Sequence, residues 1–88
     1  FDLRRIDRLV VTQEAILIAD YKTDARPPAR PEDAPETYLV QLARYRALLG
    51  EWAPGRAMRS FLVWTATPAI HEVPERLLDE VWRRVTSP

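Results

Sequence analysis

The chain has 88 residues, with 13 basic and 13 acidic side chains and no net charge, so any attraction for nucleic acid has to be local rather than a property of the bulk charge. The absence of cysteine excludes a disulfide frame and a thiolate metal site. No apolar run approaches the ~20 residues that span a bilayer, and no signal peptide is visible, so no membrane partner is expected. Nearly half the residues are apolar, which suits one domain or part of one. The chain opens with Phe1 rather than Met and enters strand-like sequence at once, the pattern of a piece cut from a longer protein.

Leu3 to Val11 is predicted as a first strand, with Leu3, Ile6, Leu9, Val10 and Val11 set among charges. Thr12-Gln13-Glu14 is short and polar, so the chain should turn back into Ala15–Lys22 as a hairpin. The second strand is apolar and β-branched, and Ile16, Ile18, Asp20 and Lys22 share one of its faces. An even loop pairs Val11 with Ile16 and sets Asp7 opposite Asp20, with Lys22 beside them. A three-residue loop turns Asp7 to the other face. Two opposed carboxylates repel unless a cation lies between them.

Residues 23–35 hold Pro27, Pro28, Pro31 and Pro35 among charges and read as a Pro-rich mobile loop. Glu36 to Gly50 is predicted as a helix, with Pro35 at its start. Tyr38, Leu42, Tyr45, Leu49 and Trp52 form its apolar stripe, and Gln41 lies one turn before Tyr45. Pro54-Gly55 ends that segment. Met58 to Thr65 is a third strand, Ala69–Val73 a short edge strand, and Pro74 opens a second helix with Leu77, Leu78, Val81, Trp82 and Val85 on one face. The mixed order of strands and helices predicts an α/β sheet flanked by helices. Tyr38, Trp52, Trp64 and Trp82 are expected in the core. His71 is expected at the surface, and Arg44, Arg46, Arg56 and Arg59 are expected to be solvated.

The end of the second strand has no packing motive. An acid and a base at a strand end are more often costly than stabilising. Lys22 is the only lysine; the other basic residues are arginines. A lysine kept two residues after Asp20 suggests a need for its compact ammonium, for which a planar guanidinium is no substitute.

Asp7, then Asp20-x-Lys22, then Gln41-x-x-x-Tyr45 is an ordered set on strand, strand and helix. With Ile6-Asp7-Arg8-Leu9, Ile18–Thr23, Gln41–Tyr45 and Leu62-Val63-Trp64-Thr65, the chain resembles the RecB-like nucleases of the PD-(D/E)XK superfamily. It is most similar to the C-terminal nuclease domain of the bacterial AddA helicase–nucleases, over roughly residues 3–75. The resemblance implies a restriction-endonuclease-like mixed sheet flanked by helices, present as a β-β-α-β-α fragment that lacks the family's upstream helix and strand. That helix often gives a His or Glu to the metal.

The implied activity is Mg²⁺-dependent DNA cleavage, with Mn²⁺ as an alternative ion, in double-strand break repair and recombination. The implied setting is the bacterial cytoplasm, with DNA and the partner subunit of an AddAB-type complex as partners. Asp7 and Asp20 correspond to the metal-binding acids, and the Tyr21 backbone carbonyl to a further ligand. Lys22 corresponds to the lysine that orients or activates water. Gln41 and Tyr45 correspond to a pair that braces the site and meets the DNA backbone. Where the family usually has a glycine, this chain has Arg4 and Arg5, and Arg5 is placed as a phosphate contact. The isolated fragment, short of an edge and a core face, is expected to self-associate and to cut DNA weakly or not at all. The alternative reading is a non-catalytic module of the same fold that grips DNA or a partner subunit.

Overall fold

The computed structural model describes residues 6–23 and 26–87. Its strands are β1 (Arg8–Val11), β2 (Ala15–Lys22), β3 (Ala57–Trp64) and β4 (Ala69–Val73). Its helices are α1 (Glu36–Trp52), between β2 and β3, and α2 (Glu75–Thr86), after β4. The four strands form one sheet in the order β1-β2-β3-β4. The β1–β2 and β3–β4 pairs are antiparallel hairpins, while β2 and β3 run parallel. A parallel neighbour requires a crossover, and α1 is that crossover. The mixed α/β sheet is consistent with the expected restriction-endonuclease-like fold.

The hairpin closes with an even loop, Val11 opposite Ile16 and Arg8 opposite Ala19. Thr12 accounts for the tightness of the turn without glycine. Its hydroxyl accepts from the Glu14 and Ala15 N–H groups and donates to the Ala15 carbonyl. The Thr12 carbonyl, released from the turn, accepts from the Arg56 guanidinium. Arg56, expected to be solvated, is thus a tie between the hairpin and the start of β3.

Ile16 and Ile18 on β2 meet Leu62 and Trp64 on β3 and Leu42, Tyr45 and Leu49 on α1 in one buried cluster. The second helix lies antiparallel on α1. Arg46 pairs with Glu75 and Asp79 at one end of that contact, and Arg84 pairs with Glu36 at the other. Arg46, read from sequence as solvated, is instead half-buried in the helix–helix contact.

Several expectations are corrected. The first strand does not run from Leu3: Ile6 and Asp7 are already out of the ladder, and residues 3–5 lie outside the described ones. The first helix extends two residues past Gly50, to Trp52. Trp52 continues the apolar stripe but is 69% exposed, whereas Leu49 three residues earlier is buried in the core. His71 is half-buried, not on the surface: it sits opposite Leu62 on the helix-covered face, with Nδ1 buried. Apart from these corrections, the Pro-rich segment carries a short 3-10 turn at Pro31–Asp33 that contacts β4, and Ala34 behind it is buried.

Candidate active site

Regular pairing of β1 with β2 stops at Arg8–Ala19. The next step of the same register puts Asp7 against Asp20. Asp7 turns out of the strand there, and its Oδ2 accepts the Tyr21 backbone N–H at 2.8 Å. This bond replaces the ladder bond that the departing strand no longer supplies. Asp7 is exposed, whereas Asp20 is buried under the helix layer.

Lys22 Nζ lies 2.8 Å from Asp20 Oδ2 in an ion pair. The ammonium also donates to Gln41 Oε1 at 3.2 Å. Gln41 Nε2 donates in turn to the Tyr45 hydroxyl at 3.0 Å. The helical spacing of Gln41 and Tyr45 makes this second bond local, and Tyr45 is buried to 1% exposure. A core tyrosine thus fixes the amide orientation, and the amide presents its oxygen to the lysine. Tyr45 was expected to meet DNA as well; the structure places its ring in the core, where it braces Gln41.

Burial pushes the Asp20 carboxyl up from the ordinary carboxylate value, and the adjoining Asp7 carboxyl pushes the same way. The Lys22 ammonium opposes both and does not prevail. A carboxylate forced into such a place is poised to gain from a second positive charge.

A groove of about 460 Å³ opens beside Lys22, lined by Tyr38, Val40, Gln41 and Arg44 among others. Arg5, placed from the resemblance as a phosphate contact, lies outside the described residues. Asp7, Asp20, Lys22, Gln41 and Tyr45 are therefore brought together from the residue just before β1, the end of β2 and one face of α1.

The sequence profile of the PD-(D/E)XK nuclease superfamily matches residues 4–85. The chain belongs to the PD-(D/E)XK nuclease superfamily. Neither the curated proteins nor the solved structures contain a match to it. Its Asp20-x-Lys22 has the form of the superfamily's (D/E)-x-K element, at the end of a central strand.

Superfamily nucleases typically use divalent metal ions, and the donors here suit one. The oxygens of Asp7 and Asp20 are hard ligands of the kind Mg²⁺ prefers, and one of the two acids is buried beside the other. Tyr21 adds a backbone carbonyl. The Lys22 carbonyl accepts from Thr65 N–H on the β3 side, so the backbone groups of Tyr21 face the β1 side, as its N–H bond to Asp7 requires. Among the described residues no group of three or more His, Cys, Asp or Glu side chains could hold a metal ion. The donors present are therefore two carboxylates and a carbonyl.

Sequence reasoning did not single out Tyr38 as part of this site. The ring of Tyr38 lies 4.0 Å from Lys22 Nζ. The available signal was its position three residues before Gln41, which puts both on one side of α1.

Proposed function

We propose that this chain is the catalytic part of a Mg²⁺-dependent deoxyribonuclease, an exonuclease domain within an AddA-type helicase–nuclease that acts in double-strand break repair and recombination. The observation that carries this reading is the Lys22 ammonium, held between buried Asp20 and a Gln41 that Tyr45 braces. Such bracing has no evident purpose for a solvent salt bridge, which contributes only ~0–1 kcal/mol. Its purpose is clear where a charge must be placed to within a fraction of an ångström.

In this reading Asp7, Asp20 and the Tyr21 carbonyl hold the ion. When bound, the ion polarises a phosphate oxygen and lowers the pKa of a coordinated water. Lys22 orients the attacking water and faces the charge that develops on the phosphate. Gln41 keeps the ammonium in place and presents its amide to the DNA backbone. Arg44, exposed along the groove, lies where a strand's phosphates pass. The partners are DNA and the second subunit of an AddAB-type complex, and the setting is the bacterial cytoplasm. With two carboxylates at the site among the described residues, this segment by itself binds metal weakly, cuts DNA slowly and self-associates.

The test is made in the intact parent protein. Lys22→Ala should abolish DNA cleavage and leave ATP-driven unwinding nearly unchanged. Lys22→Arg should also fail, because the planar guanidinium cannot take the ammonium's place between Asp20 and Gln41. Cleavage at the parent rate by Lys22→Arg would show that any positive charge suffices, and the reading would fall.

A further inference from the structure

The ammonium of Lys22 has a third neighbour that the scheme above leaves without a role. Its Nζ stands 4.0 Å from the centroid of the Tyr38 ring. That ring rests on Trp64, with centroids 5.8 Å apart and planes tilted by 50°. Trp64 is the register partner of Lys22 on β3 and is 1% exposed. The platform is therefore anchored from below by the core and from the side by α1, which also carries Gln41.

The kind of neighbour matters. An ammonium has three hydrogens to donate. Gln41 takes one in a directed bond, and Asp20 attracts the charge from another side. A third oxygen acceptor would saturate the group. An aromatic face attracts the cation through its quadrupole and takes no directed hydrogen bond. It also limits the rotamers of a long, flexible stem. We propose that Tyr38, backed by Trp64, is a positioning residue: it holds the Lys22 ammonium against Asp20 and Gln41 and leaves a donor hydrogen for an oxygen of the phosphodiester. This inference rests on the nuclease reading above and adds to it a residue that acts through Lys22.

The experiment has two arms, both on the full protein. In the first, cleavage of single-stranded DNA is measured with Mg²⁺ for Tyr38→Leu, Tyr38→Phe and a series in which position 38 carries phenylalanine with successive ring fluorines. Fluorination withdraws the ring's negative face and changes its size little. Tyr38→Leu should lower kcat about tenfold with KM little changed. Tyr38→Phe should recover most of that loss, and kcat should then fall stepwise with each fluorine. A purely structural tyrosine predicts a flat series, and a flat series overturns the proposal.

The second arm needs neither metal nor DNA. Melting temperatures of Tyr38→Leu, Lys22→Met and the double variant close a cycle in which the Tyr38–Trp64 packing cancels. The drop caused by Tyr38→Leu should be smaller in the Lys22→Met background. Equal drops overturn the proposal. A parent protein that cleaves nothing with any divalent ion overturns the nuclease reading and this one with it. Cleavage by the parent with a flat fluorine series overturns only this one.

Discussion

Asp20→Asn removes a charge and keeps a shape, and the structure predicts that it makes the protein more stable. Asp20 is 3% exposed, and its carboxyl is held above the ordinary value of 3.8 by burial first and by Asp7 second. The folded state therefore takes up that proton more readily than the unfolded chain. The penalty for ionising Asp20 is absent below the unfolded value, grows as the pH rises from there to the raised folded value, and is complete above it. Asparagine has no charge to desolvate, and Lys22 keeps its contacts to Gln41 and Tyr38.

In buffer free of divalent ions, Asp20→Asn should thus melt above the parent at about pH 7, and the gap should close toward about pH 4. In a domain of this size each kcal/mol moves the midpoint by about 4–8 °C, so the effect is within reach of thermal-shift or calorimetric measurement. Adding Mg²⁺ should reverse the order. An ion at about ten times its Kd stabilises the parent by about 1.4 kcal/mol, or about 6–11 °C. The variant, short of one ligand, should gain much less. A parent that is at least as stable as Asp20→Asn in metal-free neutral buffer would refute the claim that burial dominates at this carboxylate. An equal Mg²⁺-induced rise in both proteins would refute Asp20 as a ligand.

Two further outcomes follow from the packing, both read by denaturant or thermal unfolding. Leu42→Ala, at a fully buried position of α1, should cost about 2–5 kcal/mol, whereas Trp52→Ser ten residues along the same helix should stay within about 0.5 kcal/mol; equal losses would contradict the placement of the helix end outside the core. Of the two glycines, Gly55 has φ 82°, so Gly55→Ala should cost about 1 kcal/mol in backbone strain although its Cβ would meet nothing. Gly50→Ala, in the helix and touching only Met58 Cε at 3.4 Å, should gain about 0.5–1 kcal/mol.

Much of this protein was legible in the chain before any fold was known. Period-two alternation put Ile16, Ile18, Asp20 and Lys22 on one face of β2, whereas the side taken by Asp7 hung on a turn parity that the sequence left open and the pairing of Val11 with Ile16 decided. Helical spacing set Gln41 and Tyr45 one turn apart, close enough to bond. These are local relations, determined by backbone geometry over a few residues.

What lies over a face is not a local relation. The carboxylates of Asp7 and Asp20 look alike in sequence, yet the helix layer buries one and leaves the other in water. Trp52 keeps the phase of its stripe but is left exposed at the helix end, and His71 is half-buried because β4 joins the face that the helices cover. The Tyr38–Trp64 platform required the parallel pairing of β2 with β3, which aligns Lys22 with Trp64 although they are 42 positions apart in sequence, and the crossover helix that lays Tyr38 above them. Side-chain periodicity states which way a residue points; only the docking of α1 on the sheet decided what it would meet there.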